Sequence, residues 1–170
     1  NDGVFSLRIS NANRLYVTGG TESTNLSYPS AGVYQDTLNG KVDGFIAELD
    51  LNNGSVLNFS FTGTPEHDVS YFLDVDEKEN ITIFGQTRGL WPQVGDSLWG
   101  QPGSAQFLQQ FGPDLKLKLS TTFGVGTTLA TNISPTALMV SECGDVFLSG
   151  WGAGYSSRRG NMTIPRNLPV

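Results

Sequence analysis

The sequence predicts an all-β protein built from a repeated unit of short antiparallel strands. Of its 170 residues, 21 are Gly and 8 are Pro, while only 15% are charged and 38% are hydrophobic. Long helices are disfavoured by this mixture, because helix surfaces usually carry many Glu, Lys, Arg and Ala residues. Short strands joined by frequent turns suit it better. The second observation is a strand pattern that recurs at a nearly constant spacing.

The recurring pattern is an alternating apolar strand that closes on a glycine. The closing residues Gly19, Gly85 and Gly150 lie 66 and 65 residues apart. Another apolar alternation and a polar turn precede each of these strands. The six strand segments are 5–9 with 14–19, 71–75 with 80–85, and 138–140 with 145–150. Each pair predicts a β-hairpin.

Two more strands follow each of the first two hairpins. They are expected at 45–49 and 57–61 in the first copy and at 107–111 and 115–123 in the second. Phe45 and Phe107 are 62 residues apart, as are Phe61 and Phe123. Four short strands per period are typical of a propeller blade. We therefore predict a partial β-propeller of about two and a half four-stranded antiparallel blades, with a β-sandwich or β-solenoid as the alternative.

The whole chain, 1–170, is predicted to be a fragment of a single propeller domain. Its expected parts are a partial blade at 1–19, blades at 43–85 and 104–150, and long connections at 20–42, 86–103 and 151–170. A fragment of this kind does not close a ring, since each blade buries its faces against its neighbours. The remaining blades are expected in the same protein.

The segments that carry this pattern resemble the bacterial seven-bladed β-propeller repeat known as SBBP. They are 28–35 (YPSAGVYQ), 43–49 (DGFIAEL), 58–63 (NFSFTG), 73–76 (LDVD), 83–87 (IFGQT) and 143–152 (CGDVFLSGWG). The last segment is similar to a variant in large surface proteins of gliding bacteria, which use type IX secretion. The resemblance implies a structural or binding module of a secreted or cell-surface protein, serving adhesion or complex assembly. Its implied partners are other surface proteins or glycans, and it implies no shared catalytic residues.

The composition argues against several other classes of function. The formal net charge is −6 and the only adjacent basic pair is Arg158 with Arg159, whereas nucleic-acid binding needs a concentrated positive surface. No apolar run approaches the ~20 residues of a membrane helix, and the first residues do not read as a signal peptide. We expect neither a nucleic-acid partner nor a membrane span.

No catalytic, cofactor or metal site is predicted. The single histidine, His67, and the single cysteine, Cys143, are too few for a zinc site, and no nucleophile is marked beside His67. The acidic run from Asp74 to Asn80 suits calcium, but it suits a hairpin turn better. We predict that the chain is not an enzyme. The alternative is a propeller enzyme whose active site lies on blades outside this chain.

A binding surface is predicted where the long connections meet. In a four-stranded blade they emerge on one face, and such loops often carry binding. Five residues in or beside them are candidate anchors, because aromatic rings and Arg dominate interface hot spots and rings stack on sugars. They are Trp91, Trp99, Trp151, Tyr155 and Arg158. The alternatives are rings that fill gaps between blades, or a carbohydrate-binding propeller.

Two sites of O-glycosylation are a secondary expectation. Thr37 and Ser97 lie in Asp-Thr-Leu and Asp-Ser-Leu triplets within the long connections. The triplets are similar to sites that relatives of the gliding bacteria modify on exported proteins. Cys143 has no partner cysteine within the chain.

Overall fold

The computed structural model describes residues 1–96, 99–124 and 133–152. These residues form three antiparallel sheets of ten strands and contain no helix, which confirms the all-β prediction. The first sheet contains β1 (Asp2–Ile9), β2 (Leu15–Thr21), β3 (Asp43–Leu49) and β4 (Val56–Thr62). The second contains β5 (Asp68–Val75), β6 (Ile81–Thr87), β7 (Gln106–Phe111) and β8 (Leu117–Phe123). The third contains β9 (Ile133–Val140) and β10 (Val146–Gly152).

Strands within each sheet follow one another in chain order. The sheet boundaries differ from the expected blade ranges. The range 43–85 joins the last two strands of the first sheet to the first two of the second, and 104–150 does the same one sheet later. The cause is that β2 pairs with β3 along its whole length, across the long 22–42 connection. The short 63–67 connection instead leads from β4 into a new sheet.

The three hairpins that open the sheets have the same turn. Its first residue accepts a hydrogen bond from the backbone N–H four residues on, through Ser10 Oγ (3.3 Å), Asp76 Oδ1 (2.8 Å) and Ser141 Oγ (3.0 Å). The fourth residue has a positive φ in each copy, at Asn13, Glu79 and Gly144. The Asp76 side chain therefore stabilises a hairpin turn, which is the role predicted for the acidic run.

Each closing glycine lies opposite a β-bulge on the first strand of its sheet. Gly19 pairs with Val4, Gly85 with Ser70 and Gly150 with Pro135, and the register shifts immediately beyond each pair. The strand is brought close by the bulge: a Cβ at Gly19 would lie 1.8 Å from the Gly3 carbonyl oxygen. Only glycine fits such a position, which gives the recurring pattern its physical cause.

Successive sheets pack face to face. Strand β5 lies against β1, β2 and β3, and β9 lies against β5 and β6. The core between the first two sheets contains Tyr16, Ile46, Leu73, Ile81, Ile83, Trp91, Phe107, Phe111 and Leu115. On the other face of the first sheet, a second cluster packs under Leu26 and Leu38 of the 22–42 connection.

Polar contacts join the first strands of the three sheets. The Asp74 carboxylate of β5 forms an ion pair with Arg8 Nε of β1 (3.1 Å). The same carboxylate accepts a hydrogen bond from the Val140 N–H of β9 (2.8 Å). Asp74 is only 6% exposed, so a largely buried charge is satisfied by both neighbouring sheets. This residue therefore links the first strands of all three sheets.

Candidate binding surfaces

The two long connections that the structure describes, 22–42 and the one between β6 and β7, run along the outer strands of their sheets. Phe59 and Phe61 of β4 donate backbone hydrogen bonds to the carbonyls of Pro29 (2.8 Å) and Gln35 (2.9 Å). In the second sheet, Ser120 of β8 exchanges two such bonds with Val94 (2.8 and 2.9 Å). An uncovered edge strand invites pairing with other chains. Much of each connection therefore serves to cover an edge rather than to form a free binding loop.

Of the predicted anchors, Trp91 lies in the core and not on the surface. Its side chain is 7% exposed and stacks on Phe107, with ring centroids 3.8 Å apart and an interplanar angle of 9°. Phe107 in turn packs over Gly85. Trp91 therefore covers the Phe107 ring within the core between the first two sheets. This is the gap-filling role that the sequence left open as the alternative.

Trp99 and Trp151 are exposed, at 41% and 65%. Trp151 belongs to strand β10 opposite Ser134, rather than to the connection that was expected to begin there. Tyr155 and Arg158 lie outside the described residues. The binding roles of Trp99 and Trp151 remain predictions.

Two buried carboxylates, which the sequence reasoning missed, lie at the end of the sheets where the long connections emerge. The Asp43 carboxylate accepts hydrogen bonds from Gln35 Nε2 (2.7 Å) and from the backbone N–H groups of Asn39 and Gly40 (2.7 and 3.0 Å). The Asp68 carboxylate accepts one from Thr64 Oγ1 (2.7 Å). Burial raises the pKa of both groups, against the opposing effect of these hydrogen bonds.

Asp43 and Asp68 hold the backbone in place around them. Each begins the strand that follows a connection, and each bonds to donors within that connection. The only signal in the sequence was an Asp at each strand start, which alternation analysis does not single out. Their donors are groups of the chain itself, so the arrangement is structural.

Shallow grooves recur at equivalent places between consecutive sheets. One, of about 260 Å³, is lined by residues that include Phe5, Gly20 and Val69. The other, of about 240 Å³, is lined by Tyr71, Gln86, Ser134 and Pro135. Phe5 and Tyr71 are the extra residues of the first two bulges, and their ring centroids are 5.5 Å apart. The grooves are a by-product of the repeat and bring together no nucleophile and base.

Residues with metal or nucleophilic chemistry are scattered in the described part of the chain. There, no group of three or more His, Cys, Asp and Glu side chains could hold a metal ion. His67 lies exposed in the 63–67 connection, and Cys143 is exposed and free. The same residues include no helix long and apolar enough to cross a membrane.

The two expected glycosylation positions differ in what the structure describes. Thr37 is exposed, while Leu38 packs against the second hydrophobic cluster. Ser97 lies outside the described residues. Modification of either residue remains a prediction.

Exposed apolar side chains are grouped at the two ends of the series of sheets in the described part of the chain. At one end Val4, Leu7 and Ile9 of β1 share the face of the first sheet that points away from the second, and they are 58%, 64% and 53% exposed. At the other end Met139, Phe147 and Trp151 of the third sheet are 55%, 54% and 65% exposed. Met139 and Phe147 are direct cross-strand partners. We call these surfaces the β1 end face and the β10 end face.

No protein-family model matches the chain, and a comparison with curated proteins also finds no match. The resemblance to the SBBP repeat therefore remains a prediction.

Proposed function

We propose that this chain is a non-enzymatic scaffold segment whose sheets stack on further sheets of the same kind, as blades of a propeller do. The observation that carries this proposal is a contrast between equivalent residues of consecutive sheets. Leu73 of β5 is 5% exposed because it packs against the first sheet, whereas Leu7 at the same position of β1 is 64% exposed. Burying a Leu side chain is worth about 1.5–3 kcal/mol. A preceding sheet would supply that burial.

The β10 end face supports the same proposal from the opposite side. Contiguous exposed apolar surface is uncommon on soluble monomers and marks interaction sites. The β5 strand shows how such a face is used, because it is covered on one side by the first sheet and contacted by β9 on the other. Each sheet thus has two contact faces, and the outermost faces of the series are uncovered by the described residues.

The biological setting belongs to the same proposal. We place the chain in a large secreted or cell-surface protein, where the sheets form a rigid support for adhesion or complex assembly. The abundance of uncharged polar residues and the resemblance to SBBP repeats support this setting. The remaining blades of the same protein are the first partners, and surface proteins or glycans are the outer ones.

Self-association of the chain tests the proposal, because uncovered end faces are expected to pair when no further sheet is present. Sedimentation velocity from micromolar to millimolar concentration should show reversible association. Leu7→Glu and Phe147→Glu should each weaken it about tenfold or more, because burying an unpaired carboxylate is costly.

Leu90→Glu is the matched control. Leu90 is 81% exposed, but it lies in the connection between β6 and β7 and not on an end face. Its substitution should leave association unchanged. A chain that stays monomeric throughout, or a Leu90 variant that weakens association as much as the others, would contradict the proposal.

A further inference from the structure

In both complete sheets, an aromatic ring occupies the space above the closing glycine. Phe45 of β3 is the register partner of Gly19, and Phe107 of β7 is the partner of Gly85. Ring atoms of these residues lie 3.0 and 2.4 Å from the positions that a Cβ would take at the two glycines. The third strand of each sheet therefore inserts a Phe into a seat that glycine leaves open.

Gly150 of β10 has the same position in the third sheet. It faces the bulge of β9 through its pairing with Pro135. The three heavy atoms nearest to its missing Cβ belong to Ile133 and Ser134, so no aromatic ring is among them. Ile133 Cγ2 is the nearest of these atoms, at 2.7 Å, so an aliphatic side chain of the first strand approaches Gly150 and no ring of the described residues does.

The edge of β10 that would receive a third strand is also open. Within the described ranges β10 pairs only with β9. Leu148 lies on the same face as Gly150 and is 37% exposed, whereas its equivalent on β6, Ile83, is fully buried. A strand paired with β10, carrying a ring over Gly150, would also cover Leu148.

We propose that the free edge of β10 is an acceptor for an antiparallel β-hairpin of the type formed by β3 and β4, with an aromatic residue seated over Gly150. This occupant follows from continuity with the first two sheets, in which the same edge is always paired in the same register. Backbone hydrogen bonds supply affinity in such strand addition, and the side-chain seat supplies specificity. The inference rests on the proposed function, since it names the element that completes the third sheet.

A synthetic peptide with the sequence of residues 43–62 serves as the probe, added to the full chain. Fluorescence anisotropy of the labelled peptide should show saturable binding. Hydrogen exchange should show protection of β10 amides that the unbound chain lacks. Replacing Phe45 by Ala in the peptide should weaken binding about tenfold or more, because the seat is then empty.

Matched variants of the chain locate the site. Gly150→Val fills the seat and should weaken binding as strongly as the Phe45→Ala peptide. Ser149→Val, one residue away on the opposite face of β10, should leave binding within about twofold, because the pairing uses backbone groups. Unchanged circular dichroism, and unchanged exchange in the first two sheets, would show that both variants fold.

The proposal is overturned if the peptide fails to bind, or if neither Phe45 nor Gly150 affects its binding. This outcome is separable from failure of the proposed function. The latter is read from association through the end faces, which Leu7→Glu alters and Gly150→Val does not. Peptide binding by a chain whose end faces never associate would support the strand acceptor and reject the stacked scaffold.

Discussion

The closing glycines are the residues on which the repeat depends. At Gly19 a backbone oxygen approaches from the bulged first strand and the Phe45 ring approaches from the third strand. A side chain has no room between them. The same crowding at Gly85, from the Val69 carbonyl oxygen and the Phe107 ring, explains why glycine recurs there.

We expect Gly19→Ala to lower the free energy of unfolding by about 2–3 kcal/mol, because overpacking against backbone atoms cannot be relieved by a side-chain rotation. The control is the next residue of the same strand. The atoms nearest to a Cβ at Gly20 would lie 3.4–3.5 Å away, which is an ordinary van der Waals distance. Gly20→Ala should stay within about 0.5 kcal/mol of the parent. Urea unfolding monitored by fluorescence measures both, and equal effects would refute the role given to Gly19.

Single residues show where sequence reasoning succeeded and where it could not. Alternation and turn chemistry located the strands, because a half-buried strand and a polar hairpin turn each leave a local signature. The bulges were not predicted, since the extra residue Tyr71 continues the apolar alternation of Leu73 and Val75 and leaves no sign of the shift in register. The burial of Trp91 corresponds to the alternative in which the rings fill gaps between blades, and the sequence did not identify Phe107 as its stacking partner.

The connections show the same limit for larger elements. Their length and position were predicted from the spacing of the strands. Their path along β4 and β8 was not, because it is fixed by backbone hydrogen bonds such as that between Phe61 and Gln35, and these carry no side-chain signature. Of the predicted loop anchors, Trp91 is buried and Trp99 is exposed.

Arg14 is the residue that joins the turn regions of the first two sheets. Its guanidinium binds the Glu48 carboxylate through Nε (2.7 Å) and Nη2 (2.6 Å), and Nη2 also donates to the Pro113 carbonyl (3.1 Å). Pro113 belongs to the turn between β7 and β8, so a single side chain connects both sheets. The guanidinium also lies over the Tyr16 ring, 5.2 Å from its centroid.

Arg14→Met should lower the free energy of unfolding by about 1–3 kcal/mol, since it leaves the nearly buried Glu48 without its partner. Lys41→Met is the control, because the Lys41–Glu66 pair is exposed, with side chains 60% and 48% accessible. It should cost less than about 0.5 kcal/mol. Thermal and urea unfolding of both variants provide the measurement. A Lys41 variant as unstable as the Arg14 variant would show that the contact between the sheets contributes little.

The described residues form a series of sheets in which the first two sheets each contain one long connection, and the second sheet begins after the short 63–67 connection. The blades predicted from the sequence contain other sets of four strands than the sheets do. The spacing of a repeat gives its length but not the strand at which each copy begins. The pairing of β2 with β3 settles that point. The most extensive contacts between sheets involve the first strand of the later sheet, β5 or β9, and Asp74 and Leu73 belong to the first of these strands.

Global stability should depend on pH through the buried carboxylates that close this arrangement. Burial raises the folded-state pKa of Asp68 above its ordinary value of 3.8, and the nearby Asp43 charge raises it further. A carboxyl with a raised folded-state pKa binds more protons in the folded than in the unfolded state between the two values. Its contribution to the free energy of unfolding is therefore fully present below the unfolded value and is lost as the pH rises through the folded-state pKa.

Asp68→Asn removes this titration. The free energy of unfolding of the parent minus that of the variant should fall as the pH rises from 3.8 through the folded-state pKa of Asp68. At higher pH the difference should be constant. Asp114→Asn provides the opposite sign. A hydrogen bond from Lys116 lowers the pKa of the exposed Asp114, so the corresponding difference should fall as the pH decreases through that lower value, and only slightly. Urea unfolding across a pH series measures both differences. If the difference between the parent and the Asp68→Asn variant instead rises with pH, the hydrogen bonds to Asp68 outweigh its burial, and this carboxylate stabilises the stacked sheets in its charged form.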